Sequence, residues 1–143
     1  MTLAQQFEIE KQHLPKGWHW LMDILYSSVI NRQQTYIRSA TDVTKWVKSD
    51  KPIFDFIIHQ TKEKFAGLRI YASLDKVELD WNIIDKEQYD MRFEQISIEI
   101  QAQIDILETI SMNICQNSGE RGQPRNVGGW RTTLSDAEYA KHV

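Results

Sequence analysis

Residues 86–116 run KEQYDMRFEQISIEIQAQIDILETISMNICQ, and they contain the strongest periodic pattern in the chain. Apolar side chains recur there at steps of three and four residues, which is typical of a helix with one buried face. The members of this row are Tyr89, Phe93, Ile96, Ile100, Ile104, Leu107, Ile110 and Ile114. A second, flanking row consists of Met91, Ile98, Ala102, Ile106 and Met112. We therefore predict a helix of roughly 45 Å that is either buried on two sides or shared with a second copy in a homodimer.

The first fifty residues predict further helices. Apolar spacing over residues 3–14 indicates a short helix that ends at Pro15, and an apolar stripe over residues 18–31 indicates a second helix. Thr41 is a suitable N-cap for a third, shorter helix, which would end before Pro52.

The middle of the chain has the composition of strands. Residues 53–58 are β-branched and aromatic, and residues 68–72 alternate between apolar and polar side chains. We predict a hairpin whose longer connecting loop spans residues 61–67. Residues 74–85 contain apolar side chains that alternate with acids, which favours an additional edge strand.

These elements predict an α+β fold in one domain, residues 1–143. The helical part spans residues 1–50, the small antiparallel sheet residues 53–84, and the long helix residues 86–116. The glycine-containing residues 117–143 predict a loop-like tail with one short ordered piece near Trp130.

Composition excludes several classes of protein. The chain has 143 residues, 17 Lys and Arg against 20 Asp and Glu, and a single cysteine, Cys115, which excludes an internal disulfide. No apolar run approaches the roughly 20 residues of a membrane-spanning helix, so we expect no membrane contact. Residues 1–6 have neither a basic start nor an apolar stretch, so we expect no secretory signal and a cytoplasmic location.

The acids are concentrated in one segment. Residues 75–108 contain ten acids and three bases, whereas residues 1–74 have a net charge of +3. An acidic surface of this kind can imitate nucleic acid toward a basic groove on another protein. The candidate protein-binding residues are Asp80, Asp85, Glu87 and Asp90.

Basic residues flank aromatic residues in two stretches, a pattern typical of proteins that bind single-stranded nucleic acid. The first stretch contains Lys45, Trp46, Lys48 and Lys51, and the second contains Lys62, Lys64, Arg69 and Tyr71. The acidic character of the whole chain argues against direct nucleic-acid binding, which stays an alternative. If the protein instead has a pocket for a small molecule, the expected lining is Trp18, Trp20, Arg69 and Tyr71, although packing of these residues between helix and hairpin is the favoured interpretation.

No pattern in the sequence indicates catalysis. Asp55 and His59 could supply two ligands of a metal site, but a polar pair at a strand edge is commoner. Cys115 lies at the end of the predicted long helix, where the helix dipole disfavours a thiolate, so we expect a structural cysteine. We predict no enzymatic activity, no cofactor and no metal.

Three blocks of sequence resemble those of small proteins common in phages and prophages. The first is Gly17-Trp18, the second is KEKFAGLRIY at residues 62–71, which is similar to their Lys-Glu-Lys-Phe-Gly-Gly-Leu-Arg-Phe-Tyr, and the third is the tail, residues 115–138. In that family the tail holds Cys-x-x-Cys-Gly and Gly-Gly-Trp-x-x-Thr-Leu-Cys-x-x-His, which looks like a zinc site of three thiolates and one imidazole.

The ligand positions of that zinc motif are altered in this chain. They match Cys115, Ser118, Ser135 and Glu138, and a serine hydroxyl is a poor zinc ligand at neutral pH. We therefore predict that this chain has lost zinc and holds its tail by packing of Trp130 and by hydrogen bonds.

The resemblance implies a phage or prophage accessory protein in the cytoplasm of a bacterial host cell. We expect it to bind and modulate a host protein, as an anti-defence inhibitor of the anti-CRISPR kind. The alternatives are a nucleic-acid-binding regulator and a small-molecule-binding protein or small enzyme.

Overall fold

A computed structural model describes all 143 residues of the chain. The helices are α1 (Leu3–His13), α2 (His19–Gln33), α3 (Lys86–Ser111) and α4 (Asp136–Tyr139), with short 3-10 turns at Lys16–Trp18 and Ala140–His142. The strands are β1 (Tyr36–Arg38), β2 (Trp46–Lys48), β3 (Phe54–Lys64), β4 (Gly67–Lys76), β5 (Gln123–Val127) and β6 (Trp130–Leu134). The predicted α+β class, the N-terminal helices and the long helix are confirmed.

One cluster of 19 buried apolar side chains forms the core. Helix α2 contributes Leu21, Met22, Leu25 and Val29. Helix α3 contributes the first apolar row of its sequence, including Tyr89, Ile96, Ile100, Ile104 and Leu107. Helices α2 and α3 and the β3–β4 hairpin therefore close around a shared interior.

The strands form three separate antiparallel hairpins, β1–β2, β3–β4 and β5–β6. The β3–β4 hairpin is the longest, and its register shifts at His59, where one extra residue makes a bulge. Two side chains of α3 accept hydrogen bonds from the outer edge of β4: Ser111 Oγ from the Leu68 amide and Glu108 Oε2 from the Ile70 amide, each at 2.8 Å. Helix α3 therefore covers a strand edge that would otherwise be open to other chains.

The predicted third helix is wrong. Residues 36–48 form the β1–β2 hairpin, in which Ile37 pairs with Val47. The turn between the strands is held by the Ser39 hydroxyl, which accepts hydrogen bonds from the amides of Thr41 and Asp42. These local side-chain bonds favour a turn over a helix start.

Two predictions for the sheet need correction. The predicted longer loop at residues 61–67 is wrong. Strand β3 extends to Lys64 and β4 begins at Gly67, so only a two-residue turn connects them. The edge strand at residues 74–85 is also wrong beyond Lys76, where β4 ends. The carbonyl of Asp80 accepts hydrogen bonds from the amides of Ile83 and Ile84, so this segment folds back as a turn.

The end of the chain is more ordered than predicted. Helix α3 ends at Ser111 rather than residue 116, and the tail contains the β5–β6 hairpin and α4 instead of a loop. Cys115 is already part of the tail, where its amide donates to the Glu120 carbonyl at 2.7 Å. The predicted packing of Trp130 is wrong, because its side chain is 79% exposed at the tip of the hairpin.

No helix of the structure combines the length and the hydropathy needed to cross a bilayer.

Candidate functional site

The second apolar row of α3 faces solvent. Met91 is 61% exposed, Ile98 65% and Ile106 58%, and Ala102 lies between them. Burial of α3 on two sides within one chain is therefore wrong. Three carboxylates, Glu87, Glu94 and Asp105, lie on the same side of the helix by its 3.6-residue period. We call these seven residues the outer face of α3.

The four acidic residues singled out in the sequence differ in what they bind. Asp85 is the N-cap of α3 and accepts a hydrogen bond from the Gln88 amide, and Asp80 accepts one from the Asn82 amide. Asp90 forms ion pairs with Lys76 and Lys86, and the hydrogen bond from Lys76 lowers the pKa of its carboxyl group. Glu87 alone has no such partner and lies on the outer face.

The structure brings the second basic-aromatic group together on the solvent face of the β3–β4 hairpin. Lys62 is opposite Arg69 in the register, and its ammonium lies 5.7 Å from the centre of the Tyr71 ring. Lys64 follows on the same face, next to the hairpin tip. The side chain of Phe65 projects from this tip and is 74% exposed.

Trp18 does not share this surface. It is fully buried in the core, and its indole Nε1 donates to the Ile114 carbonyl at 2.9 Å. A ligand-contacting role for Trp18 is therefore wrong, and the core interpretation of this residue is correct. Trp20 is 40% exposed.

Of the first basic-aromatic group, Lys45, Trp46, Lys48 and Lys51, only Trp46 lines a cleft between the β1–β2 hairpin and α3. Strand pairing puts Trp46 opposite Arg38, and the Arg38 guanidinium lies 3.9 Å from the centre of the Trp46 ring. About two turns of α3, from Gln88 to Gln95, close the cleft from the other side. We define the arginine–tryptophan cleft by Tyr36, Arg38, Trp46, Gln88, Arg92 and Gln95. The sequence did not indicate Arg38 or Arg92 as site residues, because Arg38 lies between the second and third predicted helices and Arg92 lies within the predicted long helix.

The four positions that match the zinc motif are linked by hydrogen bonds. Cys115 Sγ accepts from the Ser118 amide at 3.5 Å, and the backbone of Ser135 also donates to it. Ser135 Oγ accepts from the Glu138 amide at 3.2 Å as the N-cap of α4. The carboxylate of Glu138 accepts hydrogen bonds from Lys141 and Asn117, which lower its pKa.

These residues do not fit zinc. They offer one sulfur, two hydroxyls and a carboxylate that is already bonded, whereas a structural zinc site uses four Cys or His ligands. No group of three or more His, Cys, Asp or Glu side chains is placed to hold a metal ion anywhere in the structure. Asp55 and His59 do not form such a group, and His59 instead contacts the Ser73 hydroxyl at 2.8 Å.

The thiol of Cys115 is buried but acidic. Burial raises its pKa, but hydrogen bonds from the Ser118 hydroxyl and from the backbone of Ser135, Ser118 and Asn117 outweigh burial and lower it to about 7. The expected effect of the helix dipole is absent because α3 ends before Cys115. These hydrogen bonds stabilise the thiolate form of Cys115.

No protein-family model, curated protein or solved structure matches this chain.

Proposed function

We propose that the protein is a non-enzymatic binding protein whose target is a protein with an apolar groove bordered by Lys and Arg. The single observation that supports this most is the outer face of α3. It exposes three large apolar side chains in a row, Met91, Ile98 and Ile106. These side chains lie about two helical turns apart, and such a spacing of exposed apolar residues on one helix face is typical of a helix that docks in a groove of another protein.

Charge favours a basic target. The charged members of the outer face are Glu87, Glu94 and Asp105, all acidic, and complementary charge improves both the rate and the specificity of association. Two outer faces placed together would oppose carboxylate to carboxylate with no base between them. A second copy of the chain is therefore a less favourable occupant than a basic partner.

The resemblance to phage and prophage proteins supplies the biological setting of the proposal. The target would be a host protein in the bacterial cytoplasm, and its basic groove would be the nucleic-acid-binding surface of a defence complex. An acidic helix seated there would exclude the nucleic acid by charge mimicry, as in an anti-CRISPR-like inhibitor. Asp80, Asp85 and Asp90 would add to the negative electrostatic potential near the start of α3, whereas Glu87 would contact the basic groove directly.

The binding test compares two double variants with the same change in charge. Ile98→Lys with Ile106→Lys alters the outer face, and Val43→Lys with Trp130→Lys alters two exposed side chains elsewhere. The probe is an amphipathic helical peptide of Leu and Lys, measured by calorimetry beside a Leu and Glu peptide. We expect the wild type and the control to bind the Leu–Lys peptide, and the outer-face variant to bind about tenfold more weakly or less.

Two results would overturn this proposal. One is equal binding by the outer-face variant and the control. The other is a stable wild-type dimer in sedimentation velocity that the Ile98→Lys and Ile106→Lys variant alone disrupts, which would assign the face to self-association. The biological test is plaque formation by a CRISPR-targeted phage, which expression of the wild type should restore and expression of the outer-face variant should not.

The β3–β4 hairpin supports a second candidate function, binding of single-stranded nucleic acid. Lys62, Lys64 and Arg69 lie with Tyr71 on one face, and an exposed ring at Phe65 adds a surface for stacking. Binding of an oligonucleotide that weakens with salt and with Lys62→Ala, Lys64→Ala and Arg69→Ala would support it. Binding unaffected by these substitutions would exclude this surface.

A further inference from the structure

The cleft between the β1–β2 hairpin and α3 adjoins the outer face of α3 at Met91, which belongs to both, and it is separate from the basic surface of the β3–β4 hairpin. It encloses about 740 Å³, within the range of about 300–1,000 Å³ of small-molecule sites. No carboxylate lines it, although the protein as a whole is acidic. The cleft is therefore a locally basic, partly aromatic site on an acidic protein.

The strand register explains why these side chains meet. Ile37 and Val47 pair on the inner side of the β1–β2 hairpin, where Ile37 is buried. Side chains alternate along a strand, so Tyr36, Arg38 and Trp46 all lie on the opposite, outer side. The rings of Tyr36 and Trp46 are 55% and 57% exposed there, and they offer flat surfaces for stacking.

The two arginines of the cleft lack carboxylate partners. Arg38 stacks on Trp46, and its carbonyl accepts the Asp85 amide at 3.0 Å, which ties β1 to the start of α3. Arg92 Nη1 donates to Gln95 Oε1 at 2.9 Å, and neither guanidinium forms an ion pair within the chain. Two guanidinium groups without an anion, beside exposed rings, match a planar ligand that carries a negative charge.

We propose that the arginine–tryptophan cleft binds a nucleoside phosphate. The base stacks on Tyr36 and on the face of Trp46 that the Arg38 guanidinium does not cover. The phosphate is held by Arg38 and Arg92, and the side-chain amides of Gln88 and Gln95 contact the polar edge of the base. A free nucleotide and a nucleotide within a single strand share this chemistry. Met91 is the one residue shared with the outer face of α3, and neither the stacking nor the phosphate contact rests on it.

The experiment is calorimetric titration of the wild type with AMP, adenosine, inorganic phosphate and oligo(dA). We expect saturable AMP binding that is at least about tenfold tighter than binding of adenosine or phosphate alone, because ring and charge are recognised together. Trp46→Ala and Arg38→Gln should each weaken AMP binding about tenfold or more. Two matched controls outside the cleft, Trp130→Ala and Arg131→Gln, should leave it unchanged.

Comparison of AMP with oligo(dA) distinguishes a free nucleotide from a nucleotide within a strand. Oligo(dA) binding that is much tighter than AMP binding and falls steeply with salt would assign the ligand to a strand, and equal affinities would assign it to a free nucleotide. Absence of saturable AMP and oligo(dA) binding, or an equal loss in Trp130→Ala, would overturn the proposal. If Trp46→Ala unfolds the hairpin, Trp46→Phe should keep AMP binding and Arg38→Gln should still lose it.

The test separates this proposal from the proposed function. The variant with Ile98→Lys and Ile106→Lys leaves all six cleft residues in place, so it should bind AMP as the wild type does while losing the Leu–Lys peptide. Trp46→Ala should show the reverse pattern.

Discussion

Gly17 packs directly on the backbone of Cys115, and a β-carbon at Gly17 would lie 2.0 Å from the Cys115 carbonyl oxygen. The Gly17 amide also donates to the Gln116 carbonyl at 2.7 Å. The adjoining contacts extend to the tail hairpin, because the Gln116 amide donates to the Thr133 carbonyl, and Thr133 Oγ1 donates to the carbonyl of Ala66. The three sequence blocks around residues 17, 66 and 115 therefore meet in one place.

Gly17→Ala is expected to destabilise the protein by about 3 kcal/mol or more. The added methyl group would meet backbone atoms of Cys115 and Gln116, which cannot move aside as a flexible side chain can. Urea unfolding followed by circular dichroism measures the change.

The control for this substitution is Gly128→Ala. Nothing lies within 4 Å of a β-carbon at Gly128, so only its positive φ of 56° opposes the substitution, at a cost of roughly 1–2 kcal/mol. If Gly17→Ala costs no more than Gly128→Ala, the close contact with Cys115 does not restrict residue 17.

Trp18→Phe is expected to cost about 2–3 kcal/mol, because it leaves a void in the core and leaves the Ile114 carbonyl without its indole donor. Trp20→Phe, at a side chain that is 40% exposed, should cost less than about 1 kcal/mol. Thermal unfolding of the two variants makes the comparison. Equal losses would show that Trp18 is not the anchor between the first block and the tail.

Sequence periodicity predicted the parts of the fold that depend on apolar burial. The steps of three and four along α3 placed Ile96, Ile100 and Ile104 correctly in the core, because burial of one helix face is encoded by residue type alone. The same rule could not tell that the row containing Ile98 faces solvent, since exposure depends on what the rest of the chain covers.

The wrong predictions fall where a few local hydrogen bonds determine the path of the backbone. The Ser39 hydroxyl turns residues 39–42 away from a helix, and the Asp80 carbonyl ends the extended path after β4. The arginine–tryptophan cleft was missed for a similar reason. Arg38 and Arg92 are far apart in sequence, and only the β1–β2 pairing and its attachment to Asp85 bring them together.

Phe65→Asn is expected to stabilise the protein by about 0.5–1 kcal/mol. Phe65 and Ala66 have φ values of 50° and 66°, the pattern of a type I′ hairpin turn, in which Asn is favoured and Phe is strained. Phe65 is largely exposed, so the substitution removes mainly its cation–π contact with Lys64, whose ammonium lies 5.6 Å from the ring centre at an exposed site. The urea midpoint should rise, whereas Phe65→Val, which is β-branched, should lower it. A lower urea midpoint for Phe65→Asn would mean that the contact made by the Phe65 ring outweighs the backbone strain.

The acidic thiol of Cys115 predicts a pH-dependent contribution to stability. The fold favours the thiolate, lowering the pKa from the ordinary 9.0 to about 7. Cys115 therefore adds its full stabilisation above pH 9, and this is lost as the pH falls through about 7, a total of roughly 2–3 kcal/mol. The difference in free energy of unfolding between the wild type and Cys115→Ser should therefore be roughly 2–3 kcal/mol larger at about pH 9 than at about pH 6. Urea unfolding at the two pH values measures it. Ser118→Ala removes one donor to the sulfur and should reduce the divergence. A difference between wild type and Cys115→Ser that is the same at both pH values would show that the hydrogen bonds at the sulfur do not stabilise a thiolate.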